Sequence, residues 1–175
     1  LTWFEKANEL GKLNLDCKTG IANLYLQIIL ENSRFLKNEM QINRYAQNAL
    51  TLYNESISFA ETRQIIKYRN GWYVNRGTTK NFLDDNEGAA KDLEKALEND
   101  SEDGILLKNL CLTYAKQNKI DKSINLLVNA KDVEEFEDRL IMLGEFYRIT
   151  GKYSESVESF IEAIRVVNSP KLKFE

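Results

Sequence analysis

The sequence predicts an all-α solenoid, an array of antiparallel helix pairs. Three observations carry that prediction. There is one proline in 175 residues, so long stretches are free to be helical. Apolar residues recur at helical spacing along most of the chain. A pattern of small and large residues returns at intervals of 34 and then 33 residues, which is the mark of a solenoid.

The repeat is anchored on Gly77, Cys111 and Gly144. Twelve residues after each stand Ala89, Ser123 and Ser156, all small; nineteen after each stand Ala96, Ala130 and Ala163. Sixteen after each are the large apolar residues Leu93, Leu127 and Phe160. Four before are Tyr73, Leu107 and Leu140, and three after are Lys80, Tyr114 and Tyr147. Small residues let two antiparallel helices approach, and large ones fill the grooves beside them.

The elements follow in chain order. Residues 1–15 place Trp3, Phe4, Ala7 and Leu10 at helical spacing. They are expected to be the second helix of a repeat whose first helix lies outside the chain. Asp16–Gly20 reads as a polar turn. A long helix is expected over Ile21–Leu36, a turn at Lys37-Asn38-Glu39, and a second helix from Met40 to about Ile57. Ser58 and Glu61 have the form of a capping box, which would start a helix carrying Ile65, Ile66 and Tyr68. That helix either continues to Leu83 or bends at Asn70-Gly71, because glycine weakens a helix.

The regular pattern then begins. Helices are expected over Trp72–Leu83, Glu87–Asn99, Ile105–Gln117, Asp121–Ala130, Phe136–Ile149 and Ser154–Val167. Asp84-Asp85-Asn86, Asn118-Lys119 and Thr150-Gly151 are the turns, and glycine is a good helix stop. Ser169-Pro170 has the form of an N-cap followed by proline. The organisation expected is one helical-repeat domain over residues 1–175. Its parts are 1–15, a long atypical repeat 20–57, repeats 58–103, 104–136 and 137–168, and a truncated capping helix from 169.

Composition excludes several classes of function. A net charge of −3 argues against general nucleic-acid binding, which needs a basic face. No apolar run approaches the roughly 20 residues of a membrane-spanning helix, so no membrane insertion is expected. No signal peptide is visible. The sequence has no histidine, which removes histidine acid–base chemistry, Ser-His and Cys-His nucleophile pairs and most zinc sites. The two cysteines, Cys17 and Cys111, cannot build a disulfide framework or a CxxC site, and Cys111 reads as a small buried residue. There is no glycine-rich phosphate loop. The acidic runs at 84–87, 100–103 and 132–138 lack the order of a calcium loop and read as solvated helix ends. Tyr73 reads as core; Trp3 and Trp72 are candidates for core or interface anchor. No enzyme activity, metal or cofactor is expected.

The repeat resembles the tetratricopeptide repeat (TPR) family. Tyr73–Ala96, with its N-R-G and G-A-A-K-D-L-E-K-A-L, is similar to a common variant of that repeat, as is residues 143–164, LGEFYRITGKYSESVESFIEAI. The resemblance is specific over residues 70–167, while residues 20–55 look like a longer variant. It implies a right-handed superhelix cut from a larger protein, acting as a scaffold that binds a protein or peptide in a concave groove. The first helices of each pair line that groove. Carried over to this chain, the groove residues are Val74, Thr78, Asn81, Lys108, Asn109, Leu112, Lys116, Ile141, Glu145 and Arg148. One subclass clamps the carboxylate of chaperone tails; Asn109 falls on a clamp position, but Val74, Thr78, Asp138 and Met142 occupy the others, so no clamp is expected. Longer repeats also resemble those of bacterial sensor kinases, transcription regulators and peptide-pheromone receptors, which implies a ligand-responsive regulatory domain as the alternative. The cytoplasm is the expected compartment, with the bacterial periplasm as the alternative. Oligomeric state is not readable.

Overall fold

A computed structural model describes residues 15–32, 39–64, 69–98, 103–130 and 138–168. The described residues form eight helices and no strand. The chain divides into two compact units, residues 1–100 and 101–175.

The first unit holds α1 (Leu15–Asn32), α2 (Glu39–Thr62), α3 (Arg69–Phe82) and α4 (Asn86–Leu97). Each packs on the next, and α1 also touches α3. The pairs are antiparallel. Arg76 meets Asp92 while Lys80, one turn later, meets Gly88, one turn earlier. Between α1 and α2, Lys18 reaches Glu55 and Tyr25 stacks on Tyr45 at 5.6 Å. The core is Ile21, Ala22, Tyr25, Leu26 and Ile29 from α1, with Ala46, Ala49, Tyr53 and Ile57 from α2. Trp72, Tyr73, Leu93 and Ala96 complete it from α3 and α4.

The second unit holds α5 (Gly104–Lys116), α6 (Ile120–Asn129), α7 (Arg139–Ile149) and α8 (Tyr153–Asn168), again packed in sequence. Its core is Leu106, Leu107, Leu110, Cys111, Ile124, Leu127, Leu143 and Phe146.

The small-residue slot does what the spacing requires. A Cβ on Gly77 would stand 2.9 Å from Leu93 Cγ, and one on Gly144 would stand 2.9 Å from the Phe160 ring. In the second unit the slot also carries a hydrogen bond. The Ser123 hydroxyl donates to the Cys111 carbonyl, and the Ser156 hydroxyl to the Gly144 carbonyl, both at 2.8 Å. A buried hydroxyl is thereby satisfied at the closest approach of the two helices.

The first helices of the regular pairs share one ending. Asp84, Asn118 and Gly151 adopt positive φ of 58°, 59° and 77°. The next amide then reaches back to Lys80, Tyr114 and Tyr147 respectively, at 3.0, 2.8 and 2.9 Å. This is the Schellman stop, and Asp and Asn tolerate its left-handed residue better than other non-glycine residues. Two acidic runs supply helix N-caps. Asp85 accepts from the Gly88 amide at 2.9 Å, and Asp103 from Ile105 and Leu106 at 2.8 and 3.0 Å. Each also places a carboxylate at the positive end of a helix.

Three expectations for the N-terminal half are corrected. Asp16–Gly20 is not a turn; it belongs to α1, where the Thr19 hydroxyl donates to the Leu15 and Asp16 carbonyls at 3.1 Å. Its polar group is satisfied inside the helix, so Thr19 is buried without breaking it. Ser58 and Glu61 do not cap a new helix. They lie inside α2, which continues because Tyr53, Ile57 and Ala60 prolong its buried face. A capping box works only where the preceding backbone is non-helical. Finally, Asn70-Gly71 is neither bend nor midpoint of a long helix. Both residues sit in the first turn of α3, and the break comes earlier, at Arg63-Gln64, where Gln64 takes φ of 55°. Residues 1–14, the expected helix end at Leu36, the Ile65–Tyr68 segment, most of the 132–138 run and Ser169-Pro170 lie outside the described residues.

Candidate protein-interaction face

The first helices of the pairs are α1, α3, α5 and α7. Their exposed sides are the expected binding surface.

In the first unit α3 packs against α1, α2 and α4, which leaves only a narrow exposed wedge. Val74 is buried at 9% exposure and does not line an open surface. Thr78 and Asn81 are half-buried, and the Thr78 hydroxyl donates to the Val74 carbonyl at 2.8 Å. Gly71 is exposed, and Asn75 and Phe82 are half-buried as Thr78 and Asn81 are. Asn75 donates to Asn23 Oδ1 at 3.0 Å, bridging α3 to α1, and the Tyr53 hydroxyl donates to the same oxygen at 2.6 Å. Burial pushes the Tyr53 phenol well above its ordinary range, so this hydroxyl stays a donor. Asn23 and Asn75 are not among the sequence-predicted positions. Tyr73 and Gly77 fix where α4 packs, but periodicity does not reveal that two further helices cover the flank carrying Val74.

Behind this wedge lies a charged cluster. Asp92, 4% exposed, accepts from Arg76 Nε at 2.7 Å and Nη2 at 2.6 Å, and lies 2.8 Å from Lys80 Nζ. The fork is the bidentate geometry that arginine and carboxylate favour. Glu61 on α2 accepts from the Tyr73 hydroxyl and from Lys95 at 2.8 Å, joining α2, α3 and α4. The Lys95 and Tyr73 hydrogen bonds hold its carboxyl below the usual value. Trp72 and Tyr73 are both core residues, at 7% and 1% exposure, and not surface anchors.

In the second unit Lys108, Leu112 and Lys116 recur one turn apart along α5, and Ile141, Glu145 and Arg148 do the same on α7. Lys108 forms an ion pair with Asp138, the residue before α7, so the N-terminal ends of the two stripes meet. Leu112 lies one turn beyond Lys108, and Ile141 one turn beyond Asp138. Both are apolar and exposed, at 45% and 47%. Arg148 donates to Glu145 at 2.7 and 3.0 Å. Lys116 is exposed and Asn109 half-buried. Ile105 and Ile149 extend the apolar content of the same helices and are also exposed. Cys111 lies beneath, its thiol pushed up to about 12 by burial, so it is a packing group.

Comparison with known proteins bears on this arrangement. A tetratricopeptide-repeat profile matches residues 138–166, which span α7, its glycine stop and α8. Solved structures with the same arrangement include MamA, with a TM-score of 0.62 at 15% identity over 93% of this chain and 92% of that one. BtubC from P. vanneervenii gives 0.69 at 17% identity over 98% and 74%. YrrB, described as a TPR protein with an unusual peptide-binding site, gives 0.60 at 15% identity over 93% and 91%. The fold is that of the TPR proteins. No curated protein sequence matches this one. Within the matched residues α7 is the first helix of a pair and α8 the second, and Gly144, Gly151, Ser156 and Ala163 fall inside the match. Among the described residues no helix is long and apolar enough to cross a membrane.

Proposed function

We propose that the chain is a scaffold that binds a protein or peptide segment against the exposed side of its first helices, with α5 and α7 supplying the principal contact. The observation that carries this reading is the placing of Leu112 and Ile141. Two apolar side chains stand exposed between ion pairs, Lys108–Asp138 at one end and Glu145–Arg148 toward the other. The pairs neutralise most of the local charge, so the surface suits an apolar residue of an extended or helical segment better than a polyanion. Burying each of the two side chains would contribute about 1–2 kcal/mol. The peptide-binding site ascribed to YrrB on the same fold supports the reading.

The test is selection of binding peptides from a displayed random library, followed by titration against variants. Leu112→Glu with Ile141→Glu should weaken a selected peptide at least tenfold, the equivalent of about 1.4 kcal/mol. Changing Lys108, Asn109 and Arg148 together should alter which sequences are selected. Unchanged affinity and selection in both variants would end the proposal.

A further inference from the structure

We propose that the outer side of α8 is a self-association surface, on which a second copy of this chain docks its own α8 antiparallel. The inner side of α8 places Ser156, Ser159 and Phe160 toward the rest of the unit. Its outer side carries Tyr153, Val157, Ile161 and Ile164, spaced by four, four and three residues along one stripe. They are 69%, 57%, 43% and 61% exposed. This is an amphipathic helix with a second apolar side. In the preceding pair the stripe is covered in part. Ile124, one repeat before Val157, lies on α6, which has helices on both sides, and it is 5% exposed, while Val128, one repeat before Ile161, keeps 45% exposure. Among the described residues no helix covers the α8 stripe.

The charges beside the stripe select the occupant and its direction. Glu158 and Arg165 flank it on one side, seven residues apart and centred between Ile161 and Glu162. In an antiparallel helix pair like flanks meet. A two-fold axis near Ile161 therefore sets Glu158 opposite the partner's Arg165, and Arg165 opposite the partner's Glu158. Two ion pairs form while the apolar stripes interleave. Arg165 lies 3.6 Å from Glu162 in its own helix, and docking exchanges that contact for one with the partner's Glu158. A parallel pair brings no such opposite charges together. The contact is isologous and closes at two copies. With 16 residues and about 24 Å of helix, the surface is at the small end for stable interfaces. Association is expected at roughly 10–100 µM, worth about 5–7 kcal/mol.

Sedimentation equilibrium of the whole chain over about 1–300 µM is the test, with far-UV circular dichroism to show that each variant keeps its helices. The average mass should rise from 20.3 kDa toward twice that value. Val157→Glu with Ile164→Glu should hold it at the monomer. Glu158→Arg and Arg165→Glu should each weaken association about tenfold, and the two together should restore it. A chain that stays monomeric throughout overturns the proposal, as does a dimer indifferent to the glutamates. A double charge exchange no better than the single ones overturns the antiparallel pairing. Binding of the monomeric chain to anionic lipid vesicles, lost on Ile164→Glu, would overturn it in favour of a membrane surface.

Discussion

Replacing Gly77 with alanine should destabilise the chain, whereas the same replacement at Gly20 should stabilise it. Both glycines lie within helices, and alanine is the better helix former by about 1 kcal/mol. They differ in what the new methyl meets. At Gly77 it would stand 2.9 Å from Leu93 Cγ and 3.1 Å from the Ala89 carbonyl oxygen. Leu93 is fully buried and the second obstacle is backbone, so α3 and α4 must part. Overpacking of this kind costs about 1–3 kcal/mol; after the gain in propensity the net loss is about 1 kcal/mol, reaching about 2 if the helices resist. At Gly20 there is no neighbouring atom within 4 Å, so the propensity and chain-entropy gain of about 0.5–1 kcal/mol stands alone. Urea denaturation followed by circular dichroism reads both, as midpoint shifts of opposite sign. Shifts of the same sign, or a stabilised Gly77→Ala chain, would refute the claim that this slot sets the separation of the helices.

Further predictions concern single groups. Asp92→Ala leaves Arg76 and Lys80 without their shared carboxylate. Breaking a buried pair costs about 3–5 kcal/mol, and since each cation's side chain keeps 16% exposure, about 2–3 kcal/mol is expected in urea denaturation. The carboxyl of Glu61 is held below its ordinary value of 4.5 by hydrogen bonds, first from Lys95 and then from Tyr73. Its contribution is complete above that pH and is lost as pH falls through the lower, folded value. Glu61→Gln should therefore flatten the loss of stability below about pH 4.5 while leaving the slope at higher pH unchanged; stability measured across that range decides it. Cys111 is buried and its thiol raised, whereas Cys17 is half-buried. A thiol reagent at about pH 8 should find one fast and one slow group, and two fast ones in urea. Equal rates in the native chain would place Cys111 outside the core.

Much of the C-terminal architecture is legible in the sequence because it is written in residue types with few substitutes. Gly77, Cys111 and Gly144 mark closest approach, and Asp84, Asn118 and Gly151 mark a left-handed turn, so offsets alone recover the pairs. The N-terminal half misleads for a physical reason. Asp16–Gly20 has turn composition, yet Thr19 satisfies its hydroxyl on its own helix. Ser58 and Glu61 have cap spacing, yet Ile57 and Ala60 on either side of Ser58 are buried in α2. Local chemistry is the same in both settings, and only packing decides between them. The candidate face is partly legible. Of the residues the family resemblance suggests, Leu112, Ile141 and Arg148 stand exposed, but Val74 is buried because α3 has three neighbours, a number no single helix reveals. The Lys108–Asp138 contact joins residues 30 apart, and it depends on where α7 begins.

The central claim is that binding occurs on the exposed side of α5 and α7. Its most direct test is an amide chemical-shift map of the isotope-labelled chain, titrated with a peptide from the displayed library. The account predicts that perturbations concentrate on Lys108, Leu112, Ile141 and Glu145 and their helical neighbours, while α6 stays still. Perturbations that leave these four residues unmoved and gather on α6 or on the outer stripe of α8 would contradict it.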